Sequence, residues 1–484
     1  MNQEVRQLAP GAVWNKFADL NAVPRPSKKE EQVIQFMINF GTSLGLETSK
    51  DDVGNVIIKK PGTPDMANRK TIILQSHLDM VHQKNADTQF DFETEGIQMY
   101  VDGDWVKARG TTLGADNGLG VATIMALLES SDISHPPLEA LFTIDEETGM
   151  TGAMGLQGGL LEGKYLLNLD TEEDNEIAIG CAGGLDVTAM GVYKTLPSPQ
   201  GYTSFNLVVN GLQGGHSGMD IHKGLGNANK IMNRLLYQAV FSFGAEISEI
   251  EGGGLRNAIP RESTSNILIR DAEVDKYQVA FLEMANTIKS ELGITEPDLN
   301  IELKTSAAHL SVIEKSVIGG ILQSIYAAHN GVYAMSSAIP DLVETSNNIA
   351  RVAVHNGEIK IGCLTRSSVN SAKTDLANSL RSAFELAGFE VKFSGDYPGW
   401  EPKPGSEILG IVQSNYENLF AEKPHVMACH AGLECGILGQ NYPETEMISF
   451  GPTIRGAHSP DERVSISSVA KFWKFLCAIL QNTP

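Results

Sequence analysis

The chain has 484 residues, too many for a single hydrophobic core, so two or three domains are expected. Hydrophobic residues make up 42% and charged residues 20%, which is enough apolar material for large cores. The formal net charge of −22 excludes the basic footprint of a nucleic-acid binder and suits a surface that attracts cations.

No run approaches the roughly 18 consecutive apolar residues of a membrane-spanning helix. The opening MNQEVRQLAPGAVW lacks the basic-then-apolar order of a secretory leader. The cysteines at 181, 363, 429, 435 and 477 are scattered and show no C-x-x-C spacing, so neither a disulfide framework nor a structural zinc knot is expected. The expected compartment is the reducing cytoplasm, with no membrane partner.

In chain order, Ser27 followed by Glu30 has the form of a capping box ahead of a helix over 27–48, with Val33, Met37, Phe40 and Leu44 at helical spacing. Val56–Lys59 reads as a strand. Ile72-Ile73-Leu74 is an apolar run that stops at Gln75-Ser76-His77. Residues 118–129 read as a buried helix. Leu138–Ile144 is a second apolar run, stopping at Asp145-Glu146-Glu147, and Tyr165–Leu169 a third, stopping at Asp170. Three core-type strands thus end in residues of metal-ligand type, and sites in open α/β sheets lie at the carboxyl ends of strands. Lys194–Pro199 has the texture of a linker. The following order, strand 203–210, helix 224–241, strands 246–252 and 262–270, helix 274–292 and strand 298–303, is ferredoxin-like. A helix over 311–328, a hairpin of Arg351–His355 and Glu358–Leu364 joined by Asn356-Gly357, a helix over 370–387 and a strand over 389–394 suggest a second such half. From about 400 the α/β texture returns, with helices over 405–420 and 466–481. The expected architecture is an α/β catalytic domain of residues 1–190 and 398–484, interrupted by an inserted α+β lid of two ferredoxin-like halves over 191–397.

One histidine and one carboxylate per ion, with a shared carboxylate, make a compact two-metal site, and imidazole with carboxylate suits zinc. His77, Asp116 in Gly114-Ala115-Asp116-Asn117-Gly118, Glu147, Asp170 and His458 are the candidates. Taken one at a time, each has a plain structural alternative: a buried histidine, a turn aspartate, a solvated glutamate pair, a helix cap.

Taken together, S-H-L-D-M at 76–80, T-L-G-A-D-N-G at 112–118, D-E-E-T-G at 145–149, L-D-T-E-E at 169–173, G-G-H-S-G at 214–218, R-N-A-I-P-R at 256–261, H-A-G-L-E-C-G at 430–436 and the H-S-P-D-E that ends at 462 resemble the bacterial aminoacyl-histidine dipeptidases, also called cytosolic non-specific dipeptidases or peptidase D. The wider group holds carnosinase, carboxypeptidase G and the acetylornithine deacetylases. The resemblance implies a discontinuous di-zinc aminopeptidase-like domain with a lid, and hydrolysis of unblocked dipeptides with broad specificity, Xaa-His included. It implies two Zn²⁺ per subunit, with Co²⁺ or Mn²⁺ as substitutes. Asp116 would bridge the ions, His77 and Asp170 completing one site and Glu147 and His458 the other. Asp79 would orient His77, and Glu146 would serve as general base toward a metal-bridging hydroxide. The peptide bond before Asn117 is expected to be cis. His216 would hydrogen-bond the oxyanion or the substrate carboxylate, and Arg366 would take the C-terminal carboxylate. A homodimer is the expected assembly. His430 and Glu434 receive no catalytic role. Among rivals in the same superfamily are a deacylase of N-acyl amino acids and a tripeptidase. Tyr397-Pro398-Gly399-Trp400 and H-A-G-L-E-C-G favour the dipeptidase branch.

Overall fold

Four strands, Leu138–Thr143, Ile72–His77, Tyr165–Asn168 and Glu446–Ser449, lie side by side and parallel at the centre of an eight-stranded sheet. The first three are buried along their whole length, as continuous apolar runs covered on both faces must be. Antiparallel strands Val56–Lys60 and Glu47–Lys50 extend one edge, and Glu176–Cys181 and His425–Cys429 the other. A smaller four-stranded antiparallel sheet joins Ile454–Arg455, Arg463–Ser465, Trp105–Ala108 and Met99–Asp102. Its apolar face shares a core with helices Gly11–Leu20 and Ala115–Glu129, through Trp14, Phe17, Val106, Leu119 and Val464.

The structure, a computed structural model, describes residues 2–307, 309 and 311–484. The chain divides into two compact units. The first comprises Met1–Gly180, Pro402–Ala428 and Leu433–Pro484, and the second Cys181–Glu401 with Cys429–Gly432. The division falls ten residues earlier than the expected boundary at 190/191, because strand Gly183–Val192 belongs to the second unit's sheet.

In the second unit, strands Tyr202–Asn210, Glu246–Gly253, Ser263–Arg270 and Asn300–Thr305 lie in the spatial order fourth, first, third, second. Strands Gly183–Val192, Val343–His355, Glu358–Ser367 and Glu390–Tyr397 repeat that order, so the second half takes its first strand from before the first half begins. The halves fuse edge to edge where Glu246–Gly253 pairs antiparallel with Val343–His355. One buried cluster, including Phe205, Leu236, Tyr277, Ile321, Ile361 and Phe384, runs beneath both. The hairpin turns at Asn356-Gly357 with both residues at positive φ, 56° and 82°, as its type I′ form requires.

Two local expectations are corrected. Helix Glu31–Ser43 starts without a side-chain cap. Ser27 Oγ instead donates to Asp79 Oδ2 at 2.8 Å, and Glu30 Oε1 accepts the N–H of Lys28 at 2.9 Å, so neither partner is available for a capping box. The supposed linker holds a strand, Thr195–Pro197, paired antiparallel with Ser311–Ile313. That pairing takes the first three residues from the expected helix at 311–328, which begins at Lys315.

Candidate active site

The carboxyl ends of the central strands converge on one cluster. His77 is the last residue of its strand, and Asp170 lies two residues beyond Asn168. Asp145, in left-handed backbone at φ 53°, turns the chain after Thr143 into the short helix Glu146–Gly149. Asp116 sits at the start of helix Ala115–Glu129 with non-helical backbone, and the Asp116–Asn117 peptide is cis, as the resemblance implies. His458 hangs in the loop between Ile454–Arg455 and Arg463–Ser465.

Asp116 divides its two oxygens. Oδ1 lies 3.2 Å from His77 Nε2, and Oδ2 lies 3.3 Å from His458 Nε2. His77 Nε2 also lies 3.6 Å from Asp170 Oδ1, and His458 Nε2 lies 3.0 Å from Glu147 Oε2. Among the described residues, His77–Asp116–Asp170 and Asp116–Glu147–His458 each bring one atom per residue within 4.8 Å of the others, as do His77–Glu146–Glu147 and Glu30–Asp79–Asp145, and the first two share Asp116. Glu147 Oε1 is buried without a hydrogen-bond partner, as an oxygen kept for a cation would be. The donor set, imidazole nitrogens and carboxylate oxygens, fits zinc.

The electrostatics agree. The hydrogen bonds to Asp116 and Glu147 push His458 up to about 11. Burial would lower His77, yet Asp170 and Asp116 carry it well above its usual value. Burial raises Asp170 to about 6, with Asp116 and Glu147 adding to it. Glu146, next to this cluster, is pushed well above the usual carboxylate range, by burial first and then by Asp170, Glu434 and Glu147. Such a crowd of carboxyls either takes up protons or gathers around positive charge.

Asp79 lies behind His77, with Oδ1 3.4 Å from Nδ1. It also accepts the N–H groups of Glu146 at 3.0 Å and Glu147 at 3.3 Å, so one carboxylate braces the imidazole and the turn carrying both glutamates. Burial opposes its charge, but the hydrogen bonds from His77, Ser27 and Glu146 hold it below the usual range. Glu434, given no role by the sequence, is fully buried and accepts from Gln75 Nε2 at 2.6 Å and Thr143 Oγ1 at 2.8 Å. Gln75 in turn accepts from Asn168 Nδ2 at 2.5 Å, so this network joins the ends of three central strands. Burial pushes Glu434 up to about 7. Its only sequence signal is a glutamate inside a glycine-rich run, which reads equally well as a helix start.

The other two predicted residues lie in the second unit. His216 Nδ1 accepts the N–H groups of Gly218 at 3.2 Å and Met219 at 3.0 Å, which puts its ring proton on Nε2. Burial and then Arg366 lower its pKa, so the ring is a neutral donor. Arg366 is 4% exposed. Its Nη1 donates to Tyr397 Oη at 2.9 Å, while its Nε is buried without a partner. His430 belongs to the same unit and is pushed down to about 3 by burial, Arg366 and His216, with its Nε2 2.7 Å from Ser346 Oγ. A Cβ on Gly218 would stand 2.0 Å from the His430 carbonyl oxygen, so glycine is required there. Its neighbours come from distant strands, so this environment cannot be read from the sequence around His430. Of the remaining histidines, His135 is buried, and His82, His222 and His425 are exposed.

The model of peptidase family M20/M25/M40 matches residues 73–482. The chain is 42% identical over 481 residues to the cytosol non-specific dipeptidase of Escherichia coli (strain K12), covering 99% of each. The crystal structure of aminoacylhistidine dipeptidase from Vibrio alginolyticus superposes with a TM-score of 0.94 at 42% identity, over 100% of this chain and 98% of that one. The aminopeptidase PepT of Bacillus cereus, at 17% identity and a TM-score of 0.57 over 98% of each chain, shares the fold.

Proposed function

The chain belongs to peptidase family M20/M25/M40, and from that premise we propose that it is a dipeptidase acting on unblocked dipeptides, Xaa-His among them, with two zinc ions per subunit. It is a peptide-bond hydrolase, and its family implies a metal cofactor. Among the described residues, no helix is long and apolar enough to cross a membrane. The observation that carries the reading is Asp116, whose two oxygens face two different histidines, each with its own further carboxylate. The support for the substrate is the likeness, over nearly the whole of each chain, to proteins named as non-specific and aminoacylhistidine dipeptidases.

His77, Asp116 and Asp170 would hold one zinc, and Asp116, Glu147 and His458 the other. When bound, the ions polarise the scissile carbonyl and lower the pKa of a water molecule. Glu146, its proton affinity raised by its buried and acidic surroundings, takes the proton from the attacking water at its carboxylate and delivers it to the leaving amine. Asp79 keeps His77 in one tautomer and orientation. His216 donates Nε2–H to a developing oxyanion or a substrate carboxylate, and Arg366 pairs with the terminal carboxylate. Recognition of the two termini rather than the side chains accounts for broad specificity.

The test is a dipeptide panel, including Ala-His and N-acetylated controls, assayed on chelated and zinc-restored protein. Turnover of free dipeptides only after zinc is restored is expected. Equal turnover of N-acetyl amino acids would move the chain to the deacylase branch.

A further inference from the structure

Glu462 follows His458 by four residues, and only 2% of it is exposed. Its Oε2 accepts the backbone N–H groups of Leu113 and Gly114 at 2.7 and 2.9 Å, and its Oε1 those of Ala115 and Asp116 at 2.7 and 3.3 Å. One carboxylate therefore collects four consecutive amide hydrogens, the last belonging to Asp116 itself. On the other side of the same turn, the fully buried Arg25 donates from Nη2 to the Gly114 carbonyl at 2.5 Å, and from Nη1 to the carbonyls of Leu78 and Asp79 at 3.1 and 3.0 Å. Gly114 is at φ 68°, and a Cβ there would stand 2.4 Å from Arg25 Nη2, so the guanidinium closes directly on backbone. The turn is held by a carboxyl group along its amides and a guanidinium on its carbonyl. None of these bonds uses an imidazole nitrogen or carboxylate oxygen of either donor set.

We propose that Glu462 is a positioning residue that builds the Asp116 turn independently of metal and fixes it to the loop carrying His458. It thereby sets how Asp116 is shared between the two histidines. The carboxylate reaches the 113–116 turn while its own backbone lies in the 456–462 loop, so a single side chain joins the two segments that supply the shared and the terminal ligand. This inference rests on the two-metal reading above.

Two measurements on the full-length chain test it. In chelated wild-type protein, amide hydrogen exchange at 113–116 is expected to be slow, and to stay slow when zinc is added. Exchange as fast as in an exposed loop until zinc arrives would overturn the proposal, because the metal would then be ordering the turn. In Glu462→Gln, an NH₂ group must face part of the amide row. Calorimetric titration with zinc should then show affinity weakened about 10–100-fold for at least one ion, the range seen when partners of metal ligands are lost. Glu462→Asp, which keeps two carboxyl oxygens as acceptors, should recover part of that loss. A folded Glu462→Gln protein with wild-type zinc affinity would overturn the proposal. If that variant does not fold, the exchange measurement on wild type still decides. A wild-type protein that binds two zinc ions but cleaves no dipeptide would sink the functional reading alone. One that binds fewer would sink the two-metal reading, and slow exchange would still be read separately.

Discussion

The polar clusters of the two units are built with opposite charge logic. In the first unit, carboxyls outnumber histidines, and their field holds His77 and His458 far toward the protonated form. In the second, burial and the buried guanidinium of Arg366 drive His216 and His430 the other way, His430 to about 3. The first cluster is suited to positive charge and the second to negative charge. The same residue type, histidine, thus reads as ligand or as neutral donor according to its surroundings, not its sequence context.

The contrast breaks most sharply at Glu146. Glu146→Gln should lower kcat by about 10²–10⁴-fold, the usual worth of a general base, while zinc content measured by elemental analysis stays at the wild-type level. Loss of metal along with activity would make Glu146 part of the binding set instead.

Glu434 sharpens the comparison through pH. Its folded pKa, about 7, lies above its ordinary value near 4.5, so the folded state binds the proton more tightly. The stability this contributes is complete below about pH 4.5 and is lost as pH rises through about 7. Glu434→Gln lacks that loss. In chelated protein, thermal or urea unfolding should show the wild type losing up to roughly 3 kcal/mol relative to Glu434→Gln between pH 4.5 and 8. Parallel pH profiles would mean that Glu434 is ionised in the fold throughout.

Arg366→Lys keeps the charge but not the planar fork. KM for free dipeptides should rise about tenfold with zinc content unchanged, and dipeptide amides should not distinguish the two enzymes. An equal effect on amides would remove Arg366 from carboxylate recognition. The smallest effect is expected for Tyr397→Phe, which deletes the hydroxyl that accepts from Arg366 Nη1. A few-fold rise in KM, about 1 kcal/mol, is expected, and none in the Arg366→Lys background.

The sequence by itself determined the α/β centre and the identity of the ligand candidates. Strands buried on both faces are largely apolar, so Ile72–Leu74, Leu138–Ile144 and Tyr165–Leu169 announce themselves, and the polar residues that end them stand out against that background. The type I′ turn at Asn356-Gly357 was legible for an equally local reason, the positive φ that this pair tolerates. Tertiary structure alone decided what depends on distant chain. Ser27 and Glu30 match a capping box, yet Ser27 goes to Asp79, more than fifty residues away in sequence. Thr195–Pro197 looks like a linker, yet an edge partner at Ser311–Ile313 makes it a strand. Strand Gly183–Val192 could not be assigned to the second half from its own residues, because its neighbours Glu358–Ser367 and Glu390–Tyr397 lie far downstream. The sharing of Asp116 between two histidines is of the same kind. Residue types set which atoms can bind a cation, but only the packing of loops from both ends of the chain, with Arg25 and Glu462 about the 113–116 turn, decides that those atoms meet.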